Sequence, residues 1–282
     1  MTAGYSAAAP EAFFLDGEAG QLFALYHPPQ AVSATRGAVL LVPPFAEEMN
    51  KARPVYATLA RALAARGFAV LHVDLYGTGD SAGDFEDARW DLWCRDLARG
   101  ARWLHERHAT AVTLIGLRLG ALLALTVAGT QRMVVRHLVL WQPVLDGEKF
   151  MTQFLRLRLA AGLGLAAAAG KETTDMLRQT LAAGRIIEVA GYGLSAELVF
   201  AVDAQRIETL VEEGFPPIDW IELTPQRDRP LPPASRRIAD AWRARGLTLR
   251  THCVAGQPFW ILPEAVPVPE LIALTVATVE AS

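Results

Sequence analysis

Apolar and polar positions alternate over residues 12–29: Phe13-Phe14-Leu15, then Asp16-Gly17, then Leu22-Phe23-Ala24-Leu25-Tyr26, closed by Pro28-Pro29. That pattern predicts a β-hairpin. Ala38–Val42 is an unbroken apolar run, as in a strand covered on both faces. Pro54–Arg66 carries Tyr56, Leu59 and Leu63 at helical spacing and stops at Gly67. Strand and helix patterns then alternate: Phe68–Leu75, Trp90–His105, residues 112–116, a helix to about Ala128, and Leu138–Trp141. The alternation breaks over 148–214, which reads as mostly helical and includes Ala160–Gly170 and the loop Gly191-Tyr192-Gly193. It resumes with a strand at Ile218–Leu223, a helix over 233–245, a strand at Leu247–Val254 and a last helix from Glu270. Repeated strand–helix units predict a doubly wound, mostly parallel sheet with right-handed crossovers, and the break predicts an insertion.

At 282 residues and 52% hydrophobic composition, the chain has enough apolar mass for one large core and is not disordered. Thirty acidic against 27 basic residues leave a net charge of −3, which argues against nucleic acid as a partner. Arg236, Arg237, Arg243 and Arg245 read as a solvated helix face. Two cysteines, Cys94 and Cys253, indicate neither a disulfide framework nor a metal site, and no cofactor is called for. Residues 1–10 lack the basic and apolar regions of a signal peptide, and Leu159–Gly170 is too short and too rich in Ala and Gly to span a bilayer. The expected setting is cytoplasmic. Phe150, Phe154, Leu155 and Leu157 beside Arg156 and Arg158 leave peripheral membrane contact open, although such a stripe more often faces the protein's own core.

The chemistry centres on Gly116-Leu117-Arg118-Leu119-Gly120. A buried strand, a glycine-flanked turn and a helix form the G-x-S-x-G nucleophile elbow of α/β hydrolases. Here Arg118 stands in the serine position, and a guanidinium stays protonated and cannot attack a carbonyl. The fold expected is therefore an α/β hydrolase, with core residues 12–147 and 215–282 and a helical cap over 148–214. In that fold backbone N–H groups near Phe45 and at Leu119 make the oxyanion hole, so a polarising pocket can persist beneath Arg118. Glu47 and Glu48 lie on the same rim. Arg118 either pairs with one of them or helps hold a carboxylate or phosphate at the helix N-terminus.

Other reagents are scarce. The loop after the last strand, Ala255-Gly256-Gln257-Pro258-Phe259-Trp260, has no histidine where the fold places its catalytic one. His252 falls inside the strand and reads as a core residue. Asp228 follows the strand ending at Leu223, where an acid can sit, but Arg227 and Arg229 beside it suggest a surface turn. Asp74-Leu75-Tyr76-Gly77-Thr78-Gly79-Asp80-Ser81 lacks the third glycine of a dinucleotide site, so Ser81 reads as a turn residue. Adjacent Glu47 and Glu48 are poorly placed to act as paired carboxylates across a glycoside.

Pro43-Pro44-Phe45-Ala46-Glu47-Glu48-Met49-Asn50-Lys51, the elbow phrase Gly116–Ala121, Leu140-Trp141-Gln142-Pro143-Val144 and Gly256–Trp260 together resemble one family. It is the second type of exosortase A system-associated hydrolase, from bacteria that make PEP-CTERM proteins and exopolysaccharide. The resemblance runs from about residue 12 to the C-terminus and includes the elbow arginine. It implies a bacterial cytoplasmic protein near an envelope-export system. The candidate elbow and ligand-binding residues are Arg118, Leu119, Phe45, Gln142 and Gln257. Two functions remain open. One is a non-catalytic ligand-binding or accessory protein. The other is a hydrolase or acyl-transfer enzyme that acts on an ester-type or anionic substrate through water, with Glu47, Glu48 or Asp228 as base.

Overall fold

The computed structural model describes residues 9–30, 34–132, 134–162, 172–226 and 229–282. Strands β1 (Glu11–Asp16) and β2 (Gln21–His27) form the expected hairpin. They are followed by β3 (Gly37–Val42), α1 (Glu47–Ala64), β4 (Phe68–Val73), α2 (Trp90–His108), β5 (Val112–Leu117), α3 (Leu119–Thr130) and β6 (Val135–Trp141). After an insertion come β9 (Ile218–Thr224), α7 (Pro233–Ala244), β10 (Leu249–Ala255) and α8 (Pro269–Glu280).

The sheet order is β1-β2-β4-β3-β5-β6-β9-β10. It is parallel from β4 to β10, with β1 and β2 antiparallel at one edge. Every residue of β3 and β5 is buried, which is why these strands read as continuous apolar runs. One face packs Leu59, Leu63 and Leu271 of α1 and α8 against Val39, Ile115 and Trp141. The other packs α2, α3 and α7 against Leu40, Leu114 and Trp220. Because β3 leads towards β4 and β5 leads towards β6, the chain reverses direction between β3 and β5. That reversal opens a crevice at the C-terminal ends of those strands, the usual ligand position in an open parallel sheet.

Three sequence expectations need correction. Helix α1 begins at Glu47, seven residues before Pro54, so the proline lies inside the helix and does not start it. The segment between β6 and β9 holds α4 (Gly147–Gly162), α5 (Thr174–Ala182) and α6 (Ala196–Asp203), but also a hairpin, β7 (Ile187–Val189) with β8 (Tyr192–Leu194). Gly191 is therefore a turn residue, while Tyr192 and Gly193 are strand. Most of Ala160–Gly170 lies outside the described residues. The α4 stripe is largely spent inside the molecule: Phe150 and Leu155 are buried, Phe154 is half-buried, and only Leu157 is exposed. Among the described residues no helix is long and apolar enough to cross a membrane. Nor is α7 a merely solvated face, since Arg243 and Arg245 donate to the carbonyls of Leu249, Glu208 and Val211.

Candidate functional site: an arginine at the elbow

Three residues of the crevice have unusual backbone. Ala46, Arg118 and Gln142 follow β3, β5 and β6, with φ of 50°, 56° and 43°. Such conformations cost a non-glycine residue on the order of 1–3 kcal/mol each and persist only where surrounding bonds over-determine them. Here they do. The Arg118 N–H donates to the Trp141 carbonyl at 3.0 Å, and its own carbonyl accepts from Ala121 and Val144 at 3.1 and 3.3 Å. Gln142 donates its N–H to Ile221 at 2.8 Å and accepts the Leu223 N–H at 2.8 Å on Oε1, tying β6 to β9. The flanking glycines are obligatory. A Cβ on Gly116 would lie 2.5 Å from the Gly120 carbonyl oxygen, and one on Gly120 would lie 2.5 Å from that of Pro43.

The elbow thus presents the Arg118 side chain into the crevice. Its guanidinium carbon lies 5.8 Å from the ring centre of Phe150 and 5.5 Å from that of Trp260. Two such cation–π contacts favour a fixed, partly desolvated cation. The N-terminus of α3 opposes a positive charge, and the compensating anion is Glu48, which accepts from Arg118 Nε on Oε1 at 3.3 Å. Among the described residues, neither terminal nitrogen of Arg118 makes a hydrogen bond to the protein.

The two rim glutamates have different fates. Glu47 is exposed, and a hydrogen bond from Asn50, aided by Lys51 and Tyr192, holds its carboxyl below the usual range. Glu48 points inward. Burial pushes its carboxyl up, only partly countered by Arg118, and Oε2 is buried with no hydrogen-bond partner among the described residues. Asp228 lies outside the described residues.

Arg118 and Glu48 stand on the wall of a cavity of about 510 Å³. Phe45, Phe154, Leu157, Trp260 and Ile261 make most of its surface apolar. Phe45 is fixed by edge-on contacts with Phe150 and Phe154 at 5.7 and 5.0 Å. Leu119 is buried and lines a separate small pocket together with Phe45, and its N–H belongs to the first turn of α3, where helical partners are missing. Gln142 faces a second cavity on the other side of Arg118. Gln257, expected at the site, is exposed and lines neither cavity, whereas its neighbours Pro258 and Trp260 line the first. The sequence reading gave no weight to Phe150 as a partner of Arg118, and it omitted Gln153 and Glu222.

No serine, threonine, cysteine or histidine is among the described residues of the apolar cavity. Ser81 is a turn residue: its hydroxyl donates to the Asp74 carbonyl at 2.6 Å and accepts the Phe23 N–H at 2.8 Å. Burial pushes the Cys94 thiol up to about 12, and the Cys253 thiol is raised as well, so neither supplies a thiolate. His252 bonds Asp219 at 2.7 Å, at the opposite end of the strands.

Residues 33–180 match the family model described as serine aminopeptidase, S33. The chain belongs to that family. Its fold is the α/β-hydrolase fold, shared over nearly the whole length with solved esterases and hydrolases. The ferulic acid complex of Est1E from Butyrivibrio proteoclasticus is 16% identical, with a TM-score of 0.64 over 96% of this chain and 97% of that one. The Pyrobaculum calidifontis esterase is 15% identical, with a TM-score of 0.64 over 98% and 86%. An α/β serine hydrolase homologue from Coxiella burnetii is 17% identical, with a TM-score of 0.57 over 95% and 96%. No curated protein matches the sequence. This S33-family chain keeps the backbone of the elbow and puts Arg118 where the family description leads one to expect serine.

Proposed function

We propose that this α/β-hydrolase-fold protein is a non-catalytic ligand-binding or accessory protein of a bacterial exosortase/PEP-CTERM system, working in the cytoplasm beside the export machinery. The four phrases that resemble the exosortase-associated hydrolases support the setting. The observation that carries the binding role is Arg118 itself: a guanidinium whose two terminal nitrogens have no hydrogen-bond partner among the described residues, facing an open apolar cavity whose described lining holds no nucleophile. Such a site takes a small anionic ligand, with carboxylate or phosphate on Arg118 and apolar body against Phe45, Phe154 and Trp260. The segment over 148–214 acts as a cap, since Phe150 and Phe154 wall the cavity from α4.

A second reading rests on Glu48. An unpartnered carboxylate oxygen with a raised pKa is the form a general base takes in a buried site. Glu48 would then take a proton from water as the water oxygen attacks an ester carbonyl, Arg118 and the backbone N–H groups would hold the oxyanion, and Glu48 would return the proton to the alkoxide as the ester C–O bond breaks.

A panel of activated esters, thioesters and phosphoesters separates the two, assayed with wild type, Arg118→Ala and Arg118→Ser. No turnover by any of the three is the expected result, including Arg118→Ser, because no histidine stands in the loop after β10. Turnover by wild type that disappears in Arg118→Ala and in Glu48→Gln would replace the binding role with the hydrolytic one.

A further inference from the structure

Arg118 is walled by a cavity on each side. The apolar one has been described. The other, of about 300 Å³, shares Arg118, Phe150 and Gln153 with it and adds five polar side chains, Gln142, Asp146, Lys149, Glu222 and Ser235, among the apolar Pro143, Val144, Leu145, Pro232 and Ala234. Two of these groups are built into the sheet and α7 rather than left on a mobile rim. Glu222 is buried on β9, and its Oε1 accepts the Ser235 hydroxyl at 2.6 Å and the Trp220 indole N–H at 2.9 Å. Burial raises the Glu222 carboxyl, opposed by those two hydrogen bonds and by the charge of Arg118. Two hydrogen bonds therefore hold a buried acid on the wall of an open cavity, within reach of the charge of the same guanidinium that Glu48 faces from the apolar side.

We infer that the ligand is a two-part amphiphile, with an apolar chain and a hydroxylated head joined through an anionic group seated on Arg118. The chain lies in the cavity of Phe45, Phe154 and Trp260, and the head lies between Glu222, Ser235 and Gln142. A plain fatty carboxylate would fill one cavity and leave the other wet. A simple polar anion would leave the aromatic wall exposed. A head carrying hydroxyls matches the polar cavity, because Glu222 accepts from them while Lys149 and the Gln142 amide donate to them. Only a link that carries its charge between two substituents, such as a phosphodiester, reaches both cavities past one arginine. This inference rests on the reading of Arg118 as the anion receptor.

Two monoanionic diesters that differ only in the head test it, dodecyl methyl phosphate and dodecyl glyceryl phosphate, each titrated calorimetrically below its micellar concentration into the full-length protein. The expected result is that the glyceryl diester binds at least tenfold more tightly than the methyl diester, and that this ratio falls below threefold in Ser235→Ala and in Glu222→Gln. Ser235→Ala is the milder change and keeps the test interpretable should Glu222→Gln fold poorly. Equal affinity of wild type for the two diesters, or a ratio that survives in Ser235→Ala, overturns the second cavity's role while leaving the Arg118 reading intact. Binding of the methyl diester that is unaffected by Arg118→Ala, or no binding of either diester, overturns the Arg118 reading and the inference with it.

Discussion

Two carboxylates at opposite ends of the sheet face cations, one from strand β9 and one from helix α1, and the protein treats them in opposite ways. Asp219, near the start of β9, is fully buried and saturated. His137 bonds it at 2.8 Å, His252 at 2.7 Å, and Arg250 grips both oxygens at 2.8 and 2.6 Å. Burial alone would raise its carboxyl, but the bonds from His137, His252 and Arg250 outweigh that and hold it well below the usual range. Glu48, at the other end of the strands, has one partner, one orphan oxygen and a raised carboxyl. A charge kept for structure is surrounded by donors. The charge beside the proposed ligand site is left incomplete, together with the arginine that faces it. The contrast separates fold from function in a molecule whose triad positions say little.

The largest expected effect breaks the saturated pole. Asp219→Ala leaves His137 and Arg250 without their acceptor and should cost about 3–5 kcal/mol of stability, read from denaturant unfolding. A loss under about 1 kcal/mol would mean that the cluster is not structural. Because the folded carboxyl lies below its unfolded value, its stabilisation is present above the usual carboxylate range and drains away as the pH falls through and below that range. Wild-type stability should therefore decline on acidification with a slope that Asp219→Ala lacks. Next in size is the elbow backbone. Gly120→Ala forces a methyl onto the Pro43 carbonyl and should cost about 1–3 kcal/mol, shown as a lowered Tm.

The unsaturated pole should respond in binding rather than in stability. Arg118→Ala should leave the circular dichroism spectrum unchanged, since the glycines set the turn, while an anionic ligand loses the charge-assisted bonds, on the order of 1.5–3 kcal/mol, or roughly 10–100-fold in Kd. The smallest effect is the pH dependence of that binding. An anion on Arg118 competes with Glu48 for the guanidinium, and Glu48 with its raised carboxyl yields most readily when protonated. Anion affinity should therefore rise as the pH falls through the raised Glu48 value, above the usual carboxylate range. In Glu48→Gln that slope should vanish, and a slope that persists would assign the titration elsewhere.

The fold was legible because its signals are local. Two-sided burial writes β3 and β5 as apolar runs, and the close approach of α3 to β5 and Pro43 demands Gly116 and Gly120 in sequence. The hairpin at Ile187–Leu194 was not legible, because three-residue strands joined by Ala190-Gly191 carry too little periodicity. The position of Pro54 misled for a related reason: proline marks a helix start more often than an interior, and nothing local shows that α1 already runs from Glu47. At the site, Arg118 and the choice between Glu47 and Glu48 were visible as alternatives. Which glutamate turns inward depends on Tyr192 and Asn50 capturing Glu47, a contact between positions 145 residues apart. Phe150 and Glu222 were invisible because nothing near them in sequence marks the elbow as their neighbour. Gln257 was misplaced because the loop turns Trp260 inward instead.

The most direct measurement is a calorimetric titration of decanoate into wild type and Arg118→Ala at constant pH, with the ester assay run on the same preparations. The account predicts saturable binding to wild type, at least tenfold weaker binding to Arg118→Ala, and no turnover by either. Equal affinity of the two proteins for decanoate would contradict it, because the elbow arginine would then be a plug in a vacated hydrolase site rather than the receptor for an anion.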